Sequence, residues 1–355
     1  MVASRAGWPG EAITSGGNAT VGLGAAQALP GSTVSRMATH DMLVSVVVPM
    51  HNAEDYISGA LLSLLRETQA PMEVIVVNDK STDASLARVL EFSDKRIRVI
   101  DGPGRGIAAC LNAGLAAARG AVIMRCDADD LYSEKRISRQ VAWLDANPEY
   151  AALCGAFSAI DSKGRLVSDL QCGPEPLEIT GELGQGVVRT SLCTYAIRAG
   201  SMSKVGGFRE YFESAEDIDL QLRLSDVGRT GYVPEKFYFW RLHASSITHR
   251  QSNVVLEFFK RTAHDFQIQR RTSGLDDLQR GHPPSVPEAG LTPADSAGMD
   301  IQGMLLGRAW RQHRAGQKAQ ALGTGLRALT ANPSHLKVWR SVVALALKPA
   351  GGKPD

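Results

Sequence analysis

The stretch VSVVVPMHNAEDYISGALLSLL, residues 44–65, decides the fold of this chain. It opens with a continuous apolar run rich in β-branched residues, which is typical of a parallel strand buried on both faces. The residues after Asn52 place apolar side chains at helical spacing, and Asn52 itself is predicted as the helix N-cap. This stretch therefore predicts a buried strand that leads through a short polar loop into a helix.

The same strand-then-helix pattern occurs three more times before residue 149. The pairs are EVIVVND with DASLARVLEFS, IRVID with GIAACLNAGLAAARG, and AVIMRCD with SEKRISRQVAWLDANP. Such repetition predicts an α/β fold with a doubly wound, mostly parallel sheet and helices on both faces. Ligands of such sheets bind at the carboxyl ends of the strands, so the residues after each strand carry the functional prediction.

Polar residues collect at those strand ends, in the segments 49–52, 78–81 and 127–130. The first strand is not followed by G-x-G-x-x-G, which disfavours a dinucleotide-binding fold. In RCDADD, residues 125–130, three carboxylates fall within four residues and repel one another. A divalent cation would compensate, since Mg²⁺ or Mn²⁺ takes one or two protein carboxylates and completes its shell with water and phosphate oxygens. The alternative is an acidic helix start.

Composition narrows the class of protein. With 355 residues, 44% hydrophobic and 21% charged, the chain predicts one large domain with an appendage. A net charge of +2 argues against a dedicated nucleic-acid binder. Five scattered cysteines predict reduced core residues and a cytoplasmic protein. Because no apolar run reaches about 18 residues, a conventional membrane span is not expected.

The segment SAEDIDLQLRL, residues 214–224, permits two interpretations. Ser214 followed three residues later by Asp217 fits a capping box at a helix start. The alternative is that Asp217 faces a cleft and takes a proton from a substrate. These residues alone leave both interpretations open.

Six segments in order resemble the family 2 inverting glycosyltransferases of GT-A fold. They are VSVVVPMHNAEDYI, EVIVVNDKSTD, LNAGLAAARGAVIMRCDADDLY, VGGFRE, SAEDIDLQLRL and YFWRLHASSIT, and the resemblance covers roughly residues 42–250. It implies a GT-A glycosyltransferase domain over 42–272. Within it, residues 42–132 would bind the nucleotide-sugar and residues 133–272 the acceptor.

On the donor side, the resemblance assigns Asp79 to the base of the nucleotide, with His51 beside that base. Pro49 and Asn52 belong to the same loop. Asp127 would lie near the ribose and diphosphate. The chemistry is suitable, since a carboxylate accepts the N3–H of uracil and an imidazole stacks on a pyrimidine. A helix-entry role is the alternative for His51.

For metal and acceptor, the resemblance assigns Asp129 as the ligand of a Mg²⁺ or Mn²⁺ ion. His243 matches a position close to the metal and diphosphate, and Arg241 is a further phosphate candidate; a solvated strand end is the alternative for this pair. Asp217 would be the catalytic base. Glu216 and Gly207 would lie on the acceptor side, with Gly206 and Gly207 forming a flexible loop.

These assignments predict a metal-dependent inverting glycosyltransferase of polysaccharide biosynthesis. It would move a sugar from a nucleoside-diphosphate donor, UDP-sugar favoured, to a hydroxyl of a glycan or lipid-linked acceptor, without processive synthesis. Two other classes remain as alternatives. One is a non-catalytic nucleotide- or carbohydrate-binding module derived from a transferase, and the other is a nucleotidyltransferase on a similar fold.

Both ends of the chain differ from the central domain. Residues 1–41, rich in Gly, Ala, Ser and Thr, predict a disordered tail. Residues 273–300 predict a linker, and residues 301–348 predict a helical extension of three helices, with breaks at RAG and at NPS. This extension is strongly basic, which predicts either a peripheral contact with an anionic membrane or a helical module that packs on itself or a partner.

Overall fold

The computed structural model describes residues 42–170, 172–243, 253–288, 297–331 and 335–351. The disorder predicted for residues 1–41 lies outside these ranges. Residues 244–248 of the sixth motif also lie outside them.

The first part of the chain alternates strands and helices as predicted. Its elements are β1 Val44–Met50, α1 Ile57–Leu65, β2 Met72–Asn78, α2 Ser85–Leu90, β3 Ile97–Asp101, α3 Ile107–Ala117, β4 Val122–Arg125, β5 Leu131–Tyr132 and α4 Arg136–Ala146.

The second part begins with a long strand and ends in helices. Its elements are β6 Tyr150–Asp161, β7 Leu166–Asp169, β8 Leu177–Glu178, α5 Thr180–Gly184, a 3₁₀ turn Leu192–Thr194, β9 Ala196–Arg198, α6 Ala199–Val205, α7 Glu216–Leu224, β10 Arg229–Leu242, α8 Asn253–Ser273, α9 Ala297–Arg314, α10 Lys318–Ala331 and α11 Leu336–Leu347.

A single mixed sheet connects the strands in the order β3-β2-β1-β4-β9-β6-β10-β5, with β7 on β6 and β8 on β10. The pairs β1–β2, β1–β4 and β2–β3 are parallel, whereas β9 joins both β4 and β6 in antiparallel register. The α/β doubly wound fold is confirmed. Its parallel part is the predicted one: β1 to β4 are joined in turn by the connections that contain α1, α2 and α3, and a parallel pair requires such a crossover.

The ends of β2, β1 and β4 lie side by side. Met50 at the end of β1 is opposite Asn78 at the end of β2. On the other side, Val47 is opposite Arg125 of β4, and the Cys126 N–H donates to the Val47 carbonyl at 3.0 Å. The polar residues that follow these strands therefore share one edge of the sheet, as predicted.

The prediction that Asn52 caps α1 is wrong. The helix begins at Ile57, with Tyr56 as its N-cap and no side-chain capping bond. Instead, the side-chain oxygen of Asn52 accepts hydrogen bonds from the backbone N–H of Thr82 at 2.8 Å and from its hydroxyl at 3.3 Å. The amide is used to join two strand-end loops, so it is not available to the helix.

All five cysteines are free and buried, as expected for core residues. Within the described ranges, the chain has no helix with the length and hydropathy needed to cross a membrane.

The chain divides into two compact units. The first holds 1–157, 171–239 and 255–287, and the second holds 158–170, 240–254 and 288–355. The second unit is therefore not only the predicted extension 301–348, because β7 also belongs to it. The segment predicted as a linker, 273–300, is not uniformly exposed either: Asp276 is fully buried, and α9 begins at Ala297.

Three helices form most of the second unit, with the break at residues 315–317 where RAG predicted one. Leu305 of α9, Ala328 of α10 and Val342 of α11 share a buried apolar cluster. Three of the basic residues are used inside this unit. Arg308 and Arg327 donate to the Leu166 carbonyl at 3.1 and 2.9 Å, and Arg311 donates to the Ser168 hydroxyl at 2.8 Å.

Candidate active site

Hydrogen bonds join the loops that follow β1 and β2. Nδ1 of His51 lies 2.7 Å from the backbone carbonyl oxygen of Asp79, so this nitrogen carries the proton and donates it. Asn52 and Lys80 have φ angles of 50° and 61°, in the left-handed region that non-glycine residues seldom adopt. Such backbone strain persists where the surrounding structure holds it, often at ligand sites. The predicted donor residues His51, Asn52 and Asp79 are therefore together, whereas Pro49 is buried inside β1.

The turn after β3 orients the Asp79 carboxylate. The backbone N–H of Gly104 donates to Oδ1 of Asp79 at 2.6 Å. A β-carbon on Gly102 would lie 2.6 Å from the same oxygen and 2.8 Å from the Asp79 α-carbon. Glycine at 102 lets the two chain segments approach this closely. The bond to Gly104 occupies one carboxylate oxygen of Asp79, whose side chain is partly exposed.

Cys110, on α3, shows that the donor loop and the acidic cluster adjoin. The pKa of its thiol is raised to about 12: burial is the largest cause, the Asp79 and Asp127 carboxylates act in the same direction, and Arg125 opposes them. Both carboxylates thus lie within electrostatic range of one side chain, as their positions on neighbouring strands require.

Arg125, the last residue of β4, links Asp127 to Glu216. Its Nε donates to Oδ1 of Asp127 at 2.6 Å and its Nη2 to Oδ2 at 3.1 Å, while Nη1 donates to Oε1 of Glu216 at 3.0 Å. Only 13% of the Arg125 side chain is exposed. Sequence analysis assigned no role to this residue. The available signal was a cation that ends an apolar strand directly before an acidic cluster.

Asp127 is also held from the opposite side. Its backbone N–H donates to the Tyr238 hydroxyl at 3.0 Å, and the Cys193 thiol lies 3.5 Å from its Oδ2. Burial raises the pKa of Cys193, so the thiol stays protonated and acts as a weak donor. Behind it, the buried Arg136 donates to the Cys193 carbonyl at 2.6 Å and lies 3.8 Å from the centre of the Tyr132 ring.

The capping-box interpretation of SAED is wrong. Helix α7 starts at Glu216, its N-cap is Ala215 in the left-handed conformation, and no side chain caps it. Among the described residues, the buried Ser214 hydroxyl has no hydrogen-bond partner. With Ala215 in the left-handed conformation at the N-cap position, Ser214 lies one residue before the cap and makes none of the bonds predicted for it.

Two neighbouring carboxyl groups open α7. Burial raises the pKa of Glu216 to about 7, against the opposing effect of Arg125 and with a further increase from Asp217. Burial also raises the pKa of Asp217, where Arg125 and the helix-start N–H of Ile218 act in the lowering direction and Asp127 in the raising one. Asp217 is partly exposed, whereas Glu216 is buried. A carboxylate with a raised pKa and access to solvent has the properties of a general base.

Asp219, two residues after Asp217 on α7, has a different environment. It is fully buried and forms ion pairs with Arg209 and with Arg223, the latter with Nε to Oδ2 at 2.9 Å. Nη1 of Arg209 continues to the fully buried Asp276 at 2.6 Å, and Arg270 reaches the same carboxylate at 2.9 Å. We call these five residues the arginine network. Its charges are compensated within the protein, so it is a structural element of the first unit.

Gly206 and Gly207 do not form the predicted flexible loop. Gly206 is the left-handed C-cap of α6, and Gly207 has a φ of 71°. Nη2 of Arg223 donates to the Gly207 carbonyl at 2.9 Å, and Asn112 of α3 exchanges hydrogen bonds with the backbone of Phe208 at 2.8 and 2.9 Å. A β-carbon on Gly207 would lie 2.8 Å from the Asn112 side-chain oxygen. The pair is a tight turn between α3 and α7.

The metal prediction rests on the turn that contains Asp129. Asp129 is partly exposed and Asp130 is buried, directly after Asp127. Across the described part of the chain, no group of three or more His, Cys, Asp or Glu side chains is arranged to hold a metal ion by itself. A Mg²⁺ or Mn²⁺ ion that uses one or two carboxylates and takes its other ligands from phosphate and water stays a prediction for this turn.

The two residues predicted near the diphosphate belong to the second unit. Arg241 is buried and its Nη1 donates to the carbonyl oxygens of Asp161 and Ser162, each at 3.2 Å, so this guanidinium supports the turn after β6. His243 follows β10 directly and is partly buried. Its role as a metal ligand stays a prediction.

Comparison with known proteins agrees with this geometry. Residues 45–212 match the family model described as "Glycosyl transferase family 2". An uncharacterized glycosyltransferase of Haemophilus influenzae is 30% identical over 238 residues, which cover 62% of this chain and 72% of that protein. The chain belongs to glycosyl transferase family 2. It is a glycosyltransferase of GT-A fold, and the nucleotidyltransferase alternative is no longer supported.

Two other relatives are similar to this family 2 glycosyltransferase over a similar share of its length. The putative glycosyltransferase EpsE of Bacillus subtilis is 31% identical, covering 61% of this chain and 80% of that protein. The hyaluronan synthase of Pasteurella multocida is 27% identical, covering 60% of this chain but only 22% of the synthase.

Among solved structures, S. aureus TarS 1-349 in complex with UDP-GlcNAc superposes with a TM-score of 0.55. The match covers 86% of this chain and 87% of that one at 19% sequence identity. At this identity the likeness shows the fold.

Proposed function

We propose that this glycosyltransferase moves a sugar from a nucleoside-diphosphate donor to a hydroxyl group, with inversion, and that Asp217 is the general base. The observation that carries the proposal is the bridge through Arg125. It connects the donor-side Asp127 with Glu216, the residue next to Asp217. One buried guanidinium thus sets the position of both halves of the reaction centre.

UDP-sugar is the favoured donor. S. aureus TarS 1-349, solved in complex with UDP-GlcNAc, shares the fold of this chain, which supports a uracil base here as well. Asp79 is suited to accept the N3–H of that base, since its Gly104 bond holds one carboxylate oxygen and orients the other. His51 lies beside Asp79 and supplies a flat ring for stacking.

A divalent metal, Mg²⁺ or Mn²⁺, fits the turn at Asp129. When bound, it would neutralise charge on the departing nucleoside diphosphate. Asp127 is paired with Arg125 and is therefore suited to hold the ribose or the bridging region of the donor. Asp129, two residues on, is the better candidate for the metal ligand.

In the proposed reaction, the Asp217 carboxylate takes the proton from the attacking hydroxyl. The hydroxyl oxygen forms a bond to the anomeric carbon while the bond from that carbon to the diphosphate oxygen breaks. A single displacement of this kind inverts the anomeric centre and needs no covalent enzyme intermediate. The raised pKa of Asp217 strengthens it as a base.

We propose a glycan or a lipid-linked sugar as the acceptor, with one or a few sugars added to each. After Asp217 the helix continues as IDLQLRLSD, which lacks a Q-x-x-R-W sequence. The basic helices of the second unit support a peripheral contact with an anionic membrane, where lipid-linked acceptors would be found.

Calorimetry of UDP binding tests the donor and metal parts of this proposal. In millimolar Mg²⁺ or Mn²⁺ we expect measurable affinity, and in EDTA a loss of about tenfold or more, because the carboxylates at 127 and 129 repel an unscreened diphosphate. Asp129→Ala should lose the metal response. Asp145→Ala, an acidic residue on the last turn of α4, is the matched control and should keep it. Equal affinities with and without metal would contradict the metal role.

A further inference from the structure

The outer face of α11 carries a stripe of exposed apolar residues. Trp339, Val343 and Leu347 follow one another at four-residue spacing, so they lie along one side of the helix. Their exposed fractions are 49%, 53% and 79%. Large apolar residues at this exposure, contiguous on one helix, mark an interaction surface.

The opposite side of α11 is committed to the second unit. Val338 and Val342 belong to the apolar cluster with Leu305 and Ala328, and Leu345 packs with Ala309 and Ala321. A β-carbon on Gly325 of α10 would lie 3.2 Å from both Val342 and Leu345, so the two helices are in close contact. The helix is therefore held rigidly, and its stripe has a defined direction.

The charges beside the stripe are of one sign. Lys337, Arg340 and Lys348 are all exposed on α11. Between residues 301 and 351 the chain has no Asp or Glu. Arg308, Arg311 and Arg327 bind groups of the same unit, and the Lys348 ammonium, directly after α11, lies 5.9 Å from the centre of the Trp310 ring. Lys337 and Arg340 of α11 are outward-facing cations, as is Arg314 at the end of α9.

We propose that α11 docks on an anionic lipid surface, with Trp339, Val343 and Leu347 entering the interface and Lys337, Arg340 and Lys348 contacting the headgroups. An amphipathic helix with tryptophan on its apolar side and lysine and arginine beside it has the composition of an interfacial helix. A second copy of the chain is the less suitable occupant, since an isologous dimer through this face would place these cations opposite their own copies.

This inference gives the membrane contact of the proposed function a location. Only the purpose of the docking, access to a lipid-linked acceptor, rests on the proposed function. Docking through α11 would hold the enzyme where a lipid-linked acceptor presents its sugar. Binding of vesicles and binding of UDP are separate measurements, so either can fail without the other.

Co-sedimentation with vesicles tests the proposal on the full chain. Vesicles of phosphatidylcholine with about 30% phosphatidylglycerol should bind the protein, and pure phosphatidylcholine should bind it about tenfold more weakly. High salt should release the protein, since exposed charges are screened beyond a Debye length. Equal binding to both vesicle types, or none to either, would overturn the proposal.

Two sets of variants locate the contact. Vesicle binding should fall about tenfold or more in the triple variant Trp339→Gln, Val343→Gln and Leu347→Gln. The control is Leu90→Gln, at an apolar residue on α2 that is 67% exposed, and it should not reduce binding. Lys337→Glu with Arg340→Glu should have a similar effect, and Lys95→Glu with Lys204→Glu is the charge-matched control. Wild-type binding by both α11 variants would place the contact elsewhere.

Folding and dimerisation are checked on the same samples. Circular dichroism and the UDP affinity of each variant should equal those of the wild type, which separates loss of docking from loss of fold. Tryptophan quenching by spin-labelled lipid should fall in Trp339→Phe. A concentration-dependent dimer in sedimentation velocity, removed by the glutamine variant, would instead identify a second copy as the occupant.

Discussion

Asp217 and Asp219 lie two residues apart on the same helix, yet their surroundings have opposite consequences. Asp219 is fully buried and forms two arginine ion pairs, Arg209 and Arg223. Asp217 is partly exposed, and burial raises its pKa, while Arg125, which also binds Asp127 and Glu216, acts in the lowering direction. The comparison teaches that partners, rather than helix position or residue type, decide which carboxylate supports structure and which is available for chemistry.

The largest effect should come from Asp217→Asn. We expect transfer to fall about 10²- to 10⁴-fold, because the amide cannot accept the proton of the attacking hydroxyl. The melting temperature should stay close to that of the wild type, since no ion pair is lost. The measurement is UDP release from a UDP-sugar that the wild type turns over, with thermal melts of both proteins.

Ser214→Ala is the control for that variant. A lost helix cap costs about 1 kcal/mol, but Ser214 makes no capping bond, so the alanine variant should keep wild-type stability and activity. Near-normal turnover by Asp217→Asn would contradict the assignment and make Glu216 the next candidate.

Asp219→Asn should show the reverse pattern. It leaves the charges of Arg209 and Arg223 without their carboxylate in a buried site, and breaking such a pair costs about 3–5 kcal/mol of unfolding free energy. Urea unfolding measures the loss. Asp277→Asn, whose side chain is 40% exposed, is the matched control and should change little. A small change in Asp219→Asn would show that the arginine network contributes less than its burial indicates.

The smallest effect concerns pH. Asp217 must be ionised to act, so the rate should fall as pH drops through its raised pKa. Arg125 lowers the pKa values of both Glu216 and Asp217, so Arg125→Met should move this acid limb to higher pH. The measurement is UDP release from about pH 5 to about pH 9. Arg139 forms an exposed ion pair with Glu235, so Arg139→Met is the control and should leave the profile unchanged.

Stability should respond to pH in opposite directions in the two regions. Glu216 has a folded pKa of about 7 against 4.5, so the native state holds its proton longer and this contribution to stability is lost as pH rises through about 7. Asp276 of the arginine network has a lowered pKa, so its contribution is present at neutral pH and lost on acidification. Glu216→Gln should remove the first dependence and leave the second. In the profile of UDP release, an acid limb at the same pH in Arg125→Met and the wild type would show that Arg125 does not influence the base.

Local sequence patterns determined the α/β part of this protein. The β-branched runs and the helical spacing between them predicted β1 to β4 and the edge where their loops meet. This was possible because a strand that is buried on both faces consists of consecutive apolar residues. The family was also determined by sequence, since six motifs in order agree with one known set. Breaks at RAG and at NPS likewise predicted three helices over residues 301–348.

Tertiary structure alone decided how the acidic residues are used. Arg125 joins Asp127 to Glu216 across 91 positions of sequence, and Arg209 joins Asp219 to Asp276 across 67. No pattern within a helix or strand encodes such pairings, because ion pairs form between side chains that only the folded sheet brings within reach. The start of α7 is a second case: its local sequence predicted a Ser214 cap, but the left-handed Ala215 is the N-cap and Ser214 makes no capping bond.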